Sequence, residues 1–428
     1  MIASFTIYSL TIKAKDLLRN RSVIHGGLYS LYSFIGKGAN FLLLILLANY
    51  IKPTEYGKLS MFSTIIMVVS FFLGFSSSGY IGNSFFQKSE FEFKKDFTSI
   101  FVLHILSALF LCVLIYFASP IIEQYTSLPS NIINYVVLIS LSNALLIITQ
   151  VLLRIRENVV GYGILSLSNA IFNFVLSLLF VIILKQDWIG RVNAFVITSV
   201  IFALFSVFYY VKKKLFELDF SVERYKVILL WSIPLIPHLA TTWLRHGCDQ
   251  YIINYHYSTY EVGVFSFALT LVSVICIIGD AFNATSSVSL YKILSSGENK
   301  IERLKRLRKF LLGVFTLILL AFVPLLSFAI WFFLPKYHES IPYFWLLSLY
   351  GYLTCLYFIY VNYLFYFNKT KSIMYITFCS SILHLALSLL FTQYSLYYTA
   401  LIYIIVQGFI VLLVTYQGRK LLKLNNLL

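Results

Sequence analysis

The sequence predicts an all-α membrane protein of about twelve transmembrane helices, arranged as two six-helix lobes (a parallel internal repeat) around a central cavity. The first observation is composition: of 428 residues, 60% are hydrophobic and 12% are charged, with a mean hydropathy of +0.84. An ordinary soluble domain carries about 25% charged residues and roughly half apolar ones. A soluble protein could not bury this much apolar surface, so the composition indicates an integral membrane protein.

The second observation is a series of continuous apolar runs. A bilayer core about 30 Å thick needs roughly 20 apolar residues per helix. Continuous runs of this length, unlike alternating ten-residue strands, predict a helical bundle and exclude a β-barrel. The predicted helices are 25–51, 59–80, 98–120, 131–153, 161–184, 190–210, 227–247, 262–286, 310–334, 342–365, 372–392 and 396–416.

The third observation is the placement of positive charge. The chain has 33 Lys and Arg against 17 Asp and Glu. With both termini on one side, 26 of the basic residues fall on that side and 5 in the opposite loops. This bias is the positive-inside pattern, which predicts cytoplasmic termini. We expect the basic loops to contact the headgroups of anionic membrane lipids, and we predict no nucleic-acid partner.

The predicted organisation follows from these runs. It comprises an interfacial N-terminal segment 1–24, an N-lobe 25–210, a cytoplasmic linker 211–226, a C-lobe 227–416 and a cytoplasmic tail 417–428. The N-terminal stretch lacks the features of a cleaved signal and is typical of an amphipathic interfacial helix. The five cysteines have the spacing of neither a disulfide framework nor a zinc site. Without a P-loop or an HExxH motif, the sequence predicts no cofactor, no metal and no enzyme activity.

Two short segments suggest that the chain contains an internal sequence repeat. TEYGKLS at 54–60 and YEVGVFS at 260–266 share Glu, Gly and Ser at the same spacing. Glu55 and Glu261 fall where the next helix would begin, and the helix dipole favours an acid there. Coincidence in a biased composition is the alternative. A true repeat would relate the lobes by an axis along the membrane normal, as in transporters whose lobes rock around a cavity.

The first candidate site residue is Lys37, near the middle of the first apolar run. A charge at this depth costs about 2.5–3.5 kcal/mol on insertion scales, so it should face protein or a wet cavity. Its polar neighbours recur at helical spacing and predict one polar stripe: Tyr29 or Ser30, Ser33, Lys37 and Asn40. Lys37 either pairs with a carboxylate for packing or contacts a phosphate or sugar acid of a cargo.

The seventh predicted helix carries a second set of candidate site residues. His238, Arg245 and Asp249 share one face, and Arg245 and Asp249 are spaced for an ion pair. Pro234 and Pro237 each remove a backbone donor and predict a bend.

Asp280 is the only acid well inside an apolar run. It could carry a proton between the two sides of the membrane, or pair with Lys37 or Arg245. We name Asp280 and Asp249 as candidates for ion coupling. Further polar stripes occur on the fourth, fifth and eleventh helices, and their convergence on a lumen would give sugars a hydrophilic path. The candidate substrate-binding residues are Lys37, Asn40, Arg245, His238, Asn169 and Asn173.

Several of these residues carry a resemblance to a known family. GKGANFLLLILLANYIKPTEYGKLSMFSTI resembles the opening of bacterial polysaccharide transporters, and IPLIPHLA, Asp249 and YEVGVFSFAL follow the same pattern. The family is the O-antigen (Wzx-type) flippases of the multidrug/oligosaccharidyl-lipid/polysaccharide superfamily. The resemblance implies transfer of an undecaprenyl-pyrophosphate-linked oligosaccharide across a bacterial inner membrane, to supply polysaccharide polymerase and chain-length machinery.

Other functions give different expectations. A drug or cation antiporter of the same superfamily should have a mainly acidic intramembrane site, whereas this chain offers Lys37 and Arg245 against Asp280. A membrane glycosyltransferase or O-antigen polymerase should have a large outer loop, and every outer loop predicted here is short. A major-facilitator transporter should have a loop rich in glycine and arginine after helix two, and a lipid II flippase usually has two more helices.

Overall fold

The structure is a computed structural model that describes residues 21–219, 221–295 and 299–427. Within this part, twelve helices are long and apolar enough to span a membrane, which confirms an all-α membrane protein of about twelve transmembrane helices. The predicted interfacial segment 1–24 lies mostly outside the described residues. The helices are α1 (Arg21–Ala48), α2 (Pro53–Gln87), α3 (Glu90–Thr126), α4 (Ser130–Ile155), α5 (Val159–Ile183), α6 (Asp187–Lys212), α7 (Val222–His256), α8 (Thr259–Ser295), α9 (Lys300–Phe333), α10 (Ser340–Tyr366), α11 (Thr370–Phe391) and α12 (Leu396–Leu424).

Most helices extend beyond the apolar runs that predicted them. Helix α3 begins eight residues before the predicted 98, because the Ser89 side chain accepts a hydrogen bond from the Glu92 backbone N–H (3.4 Å) and caps its first turn. Helix α9 likewise begins with the basic segment 300–309. Hydropathy locates the part of a helix that crosses lipid, whereas polar caps set where the helix begins.

Helix α2 is interrupted, and the sequence analysis did not predict this. Its α-helix Pro53–Phe72 is followed by a segment in which Gly74, Phe75 and Ser76 have left-handed backbone angles. The Gly74 N–H donates to the Ser107 hydroxyl (2.7 Å), and a Cβ on Gly74 would lie 2.3 Å from the His104 ring. Glycine is required here by both the backbone angles and the close approach of α3.

Helix α7 is broken twice. The first break, at Ile233 and Pro234, confirms the predicted proline bend. Pro237 falls in the first turn of the resumed helix Leu235–His246, where its missing N–H has no partner to lose. The second break is at Gly247, before the short helix Cys248–His256.

The two faces of the bundle differ in how the halves of the chain pack. We call the side with the loops between α2 and α3 and between α6 and α7 the basic face, and the other side the opposite face. Toward the opposite face, one hydrophobic cluster joins both halves, including Leu47, Val136, Phe267 and Phe344. Toward the basic face the core divides into separate clusters, one around Phe97 and Tyr210 and another around Leu304 and Leu422. The halves are therefore joined at the opposite face and separate toward the basic face.

An ion network ties the start of α7 to α3 at the basic face. Arg224 donates to the carboxylates of Asp96 (2.5 Å) and Glu92 (2.7 Å), and Lys88 lies 2.7 Å from the fully buried Asp96. In the preceding loop, the Ser221 backbone N–H and Arg224 hold the pKa of the Asp219 carboxyl below its usual value. The first section of α7, which begins inside the predicted linker 211–226, thus packs on the N-terminal half.

Candidate functional site

A polar cavity of about 650 Å³ opens within the N-terminal half. Its walls come from α1, α2, α4, α5 and α6, and Thr270 of α8 contributes from the C-terminal half. It extends from Tyr162, in the first turn of α5 at the basic face, to Arg191, in the first two turns of α6 near the opposite face. A cavity of this volume can hold a small oligosaccharide or a few sugar-sized groups.

The predicted polar stripe of α1 lies on this cavity. Ser33, Lys37 and Asn40 line it, as the helical spacing predicted, and Tyr32, which was not part of the predicted stripe, lines it as well. Tyr29 and Ser30, the predicted start of the stripe, are not among its lining residues. Nothing lies within 4 Å of the position that a Cβ would take on Gly36. Gly36, beside Lys37, therefore faces open space, and no neighbouring helix among the described residues packs against it.

Lys37 lies opposite Asp280 of α8. Its Nζ is 3.9 Å from a carboxylate oxygen of Asp280, so the pair links the two halves of the chain. The side chains are 56% and 53% exposed, and an exposed pair of this kind contributes about 0–1 kcal/mol. This geometry fits the predicted pairing of Lys37 with a carboxylate, and it leaves Lys37 as part of the cavity lining.

Arg191 is the functional candidate that the sequence analysis missed. It is only 8% exposed, and its Nη1 donates to the side-chain oxygens of Asn173 (2.6 Å) and Ser177 (2.8 Å). Its Nη2 donates to Asn40 (3.0 Å), which joins α6 to α1 and α5. The hydropathy profile placed Arg191 among the residues of an outer loop. The sequence did contain one indication of its role. The polar stripe on α5 places Asn173 and Ser177 on one face, and their side-chain oxygens can accept hydrogen bonds from a buried donor on another helix.

The other predicted binding residues are distributed unequally. Asn169 and Asn173 line the cavity with Lys37 and Asn40. Arg245 lies on α7 and is not among the lining residues, and its Nε has no hydrogen-bond partner in the described part of the chain. His238 belongs to the α7 segment Leu235–His246, and its side chain lies outside the part of the chain that the structure describes.

The predicted ion pair between Arg245 and Asp249 is wrong. The break at Gly247 interrupts the helical spacing that would have brought them together. Asp249 is fully buried and instead pairs with Nε2 of His384 on α11 (2.8 Å). The α11 stripe of Ser381, His384 and Ser388 is buried against its neighbours and does not line the cavity.

Cys248, Asp249 and His384 form a cluster that could be considered for a metal ion. Their candidate ligand atoms all lie within 4.8 Å of one another. Ligands about 2.0–2.3 Å from a tetrahedral zinc would be separated by more than about 3 Å, whereas His384 and Asp249 are in direct hydrogen-bond contact. The Cys248 thiol also donates to the Leu244 carbonyl (3.0 Å). The arrangement fits a hydrogen-bonded pair better than a preformed metal site.

The cavity is closed at the opposite face where the two similar segments meet. Glu55 and Glu261 both fall in the first turn of their helices, as predicted. The next glycines, Gly57 of α2 and Gly263 of α8, bring the helix backbones into contact. A Cβ on Gly57 would lie 2.2 Å from the Thr259 carbonyl oxygen and 2.9 Å from the Gly263 nitrogen. The repeat of six helices on six stays a prediction, but its two motifs are in direct contact.

Comparison with known sequences gives a match over most of the chain. The family model described as "Polysaccharide biosynthesis protein" matches residues 25–288. An uncharacterized membrane protein of Haemophilus influenzae is 24% identical over 370 residues, which covers 84% of this chain and 87% of that protein. The Lsg locus putative protein 1 of the same organism is 23% identical over 362 residues, 82% of this chain and 87% of its own length.

Solved structures with the same fold come from the multidrug/oligosaccharidyl-lipid/polysaccharide superfamily. The lipid II flippase MurJ in an inward closed conformation aligns with a TM-score of 0.70 and 16% identity, over 92% of this chain and 87% of that one. An outward-facing multidrug resistance MATE family transporter aligns with a TM-score of 0.58 and 16% identity, over 94% and 96% of the two chains. At these identities the comparison establishes the fold. The chain is a multi-pass membrane protein with the fold of these transporters.

Proposed function

This chain belongs to the polysaccharide biosynthesis protein family, and from that premise we propose that it is a flippase for a lipid-linked oligosaccharide. The cargo is an undecaprenyl-pyrophosphate-linked O-antigen or polysaccharide repeat unit. It moves from the cytoplasmic to the periplasmic leaflet of a bacterial inner membrane by alternating access.

The excess of positive charge in the polar cavity is the observation that carries this proposal. Lys37 and Arg191 line it, and no acid is among its lining residues in the described part of the chain. Asp280 of α8 is the acid that pairs with Lys37, at 3.9 Å. Intramembrane charges are costly and commonly mark a transport path. Two cations in a polar cavity suit an anionic cargo that also carries hydroxyl groups, and they disfavour a cationic drug.

The packing of the two halves supports access from one side at a time. In this conformation the halves are joined at the opposite face by the shared core and by the Gly57–Gly263 contact. The basic face, which the positive-inside pattern assigns to the cytoplasm, is where they separate. Cargo entering there would meet Lys37, and its phosphate or acidic group would compete with Asp280 for that cation. Loss of the pair would remove one link between the halves.

Net transport against a gradient of the lipid-linked cargo requires a source of free energy. We propose that an ion gradient supplies it through Asp280 or Asp249. Asp280 is more than half exposed and interacts with Lys37, whereas Asp249 is buried against His384. Asp249 lies on the broken helix α7, whereas its partner His384 lies on α11. Separate Asp280→Asn and Asp249→Asn variants, assayed for transport with and without a pH gradient, would identify the coupling acid.

Depletion of the protein tests the proposed cargo. We expect the lipid-linked repeat unit to accumulate on the cytoplasmic side, and surface polysaccharide to be lost. Wild-type protein and Lys185→Gln, which removes an exposed charge outside the cavity, should each restore surface polysaccharide and clear the trapped intermediate. Lys37→Ala at equal protein level should do neither. Normal surface polysaccharide in depleted cells, with no trapped intermediate, would reject this function. Membrane lipids and the polymerase and chain-length machinery are the partners that follow from this role.

A further inference from the structure

We propose that Arg191 forms an oxyanion-binding subsite deep in the cavity, which selects repeat units that carry an acidic sugar. This inference rests on the proposed flippase function and assigns the chemical class of its cargo. It starts from the partners of one buried guanidinium group.

Every hydrogen-bond partner of Arg191 is neutral. Its guanidinium donates to Asn40, Asn173 and Ser177. Within the described part of the chain, it takes part in no ion pair. A buried charge without an opposite charge is destabilising, and buried arginines are ordinarily paired with carboxylates. The neutral acceptors fix the position of this guanidinium while leaving its charge uncompensated.

Two N–H groups of the guanidinium remain available as hydrogen-bond donors. Of its five N–H groups, the three hydrogen bonds engage two on Nη1 and one on Nη2. The Nε–H and the second Nη2–H have no partner among the described residues. These atoms are neighbours on one guanidinium, which is the geometry that binds the two oxygens of a carboxylate. The Phe195 ring lies 5.8 Å from Cζ and adds an apolar wall.

The depth of the subsite favours a sugar acid over the pyrophosphate. Asn173 lies fourteen residues after Val159, the first residue of α5 at the basic face. At about 1.5 Å per residue, the guanidinium lies roughly 20 Å from that end of the helix. A lipid whose tail remains in the membrane keeps its pyrophosphate near the headgroups. The group that reaches Arg191 is therefore part of the saccharide, and a uronic or other carboxylated sugar supplies the oxyanion.

Asn40→Asp is the discriminating variant. It is nearly isosteric and places a carboxylate where Arg191 already donates at 3.0 Å. If Arg191 only fastens the helices, this change strengthens the contact and leaves ligand binding intact. Under the proposal, the new carboxylate forms an ion pair with Arg191. This pair prevents the oxyanion of the ligand from binding there, while the protein stays folded. Arg191→Lys keeps the positive charge but lacks the paired N–H groups that bind both oxygens of a carboxylate. This variant should retain part of the affinity for the acidic ligand. Lys185→Gln is the matched loss of one positive charge from an exposed loop of the same half.

The experiment is saturation-transfer NMR on purified protein in lipid nanodiscs. The probes are sodium glucuronate, glucose and inorganic pyrophosphate, and thermal unfolding of each variant establishes that it is folded. We expect wild type and Lys185→Gln to bind glucuronate about tenfold more tightly than glucose, and folded Asn40→Asp to lose that preference. Equal affinity of wild type for glucuronate and glucose, or an unchanged preference in Asn40→Asp, would overturn the proposal. Binding of pyrophosphate but not glucuronate through Arg191 would overturn the assignment to an acidic sugar.

This test is independent of the flippase proposal. If the protein binds glucuronate through Arg191 but fails to move a lipid-linked saccharide, the flippase function is rejected and the subsite remains. If it moves the lipid-linked saccharide equally well with Asn40→Asp, the subsite is rejected and the flippase function remains.

Discussion

Gly263 of α8 packs directly on the Pro53 carbonyl group of α2. A Cβ on Gly263 would lie 1.7 Å from that oxygen, a distance that no side chain can occupy. The contact joins the first turns of two helices from different halves of the chain. Because it closes the opposite face, its integrity should decide whether the protein can hold the conformation described above.

Gly263→Ala should therefore destabilise the closed opposite face. Forcing a methyl group into a packed backbone contact typically costs about 1–3 kcal/mol, and here the helices must move apart. Gly313→Ala is the matched control, because nothing lies within 4 Å of its Cβ position on α9. Alanine there should be neutral or stabilise by up to about 1 kcal/mol. Unfolding in an SDS titration measures both, and equal stability of the two variants would contradict the contact.

Asp96→Asn should be strongly destabilising. Asp96 is fully buried between Arg224 and Lys88 and also accepts from the Ser84 hydroxyl (2.5 Å). Arg224 keeps Glu92 and Asp219 as partners and Lys88 is one-third exposed, so we expect the loss of these charged hydrogen bonds to cost about 1.5–3 kcal/mol. Glu302→Gln removes the acid of the exposed pair with Arg306 and should change the free energy of unfolding by less than about 0.5 kcal/mol. A loss below about 1 kcal/mol for Asp96→Asn would show that the network does not hold α7 to α3.

The Lys37–Asp280 pair should matter for transport more than for stability. Both side chains are more than half exposed, so Asp280→Asn should cost less than about 1 kcal/mol of unfolding free energy. The charge swap Lys37→Asp with Asp280→Lys tests the role of the pair. A purely structural pair would be restored by the swap, whereas a cargo contact that needs the cation on α1 beside Asn40 would not. Full transport by the swapped variant would contradict a cargo-binding role for Lys37.

Membrane orientation can be tested with an impermeant thiol reagent in a cysteine-free background. Gln393 lies in the exposed loop before α12, at the opposite face, and Ser295 is exposed at the basic end of α8. Gln393→Cys should react in intact cells freed of their outer membrane, and Ser295→Cys should react only after permeabilisation. The reverse pattern would place the basic face outside.

Hydropathy and charge placement were sufficient to predict the number of helices, because both reflect the cost of exposing polar groups to lipid. The polar stripe of α1 was also predictable, since Ser33, Lys37 and Asn40 recur at helical spacing. The breaks in helices α2 and α7 were only partly predictable from the sequence. Proline marks the first break in α7, but the left-handed segment at Gly74 depends on His104 and Ser107, whose approach is a tertiary contact.

The partners of the charged residues could not be predicted from spacing alone. Arg245 and Asp249 are spaced for a pair on a continuous helix, yet Gly247 interrupts that helix and Asp249 turns to His384. Arg191 begins an apolar run and was counted with an outer loop, although its acceptors come from two other helices. Such contacts depend on which helices become neighbours, and that information is absent from the periodicity of any one helix.

The most direct test of the central claim is reconstitution. Proteoliposomes would contain the purified protein and an undecaprenyl-pyrophosphate-linked oligosaccharide, and an impermeant glycosidase added outside would cleave the saccharide exposed in the outer leaflet. With wild-type protein and a pH gradient, we expect cleavage to exceed the outer-leaflet fraction and to approach the whole pool. Vesicles with a Lys37→Ala, Arg191→Met variant should stop at the outer-leaflet fraction. Cleavage by wild type that stops at the same fraction as in protein-free vesicles would contradict the account.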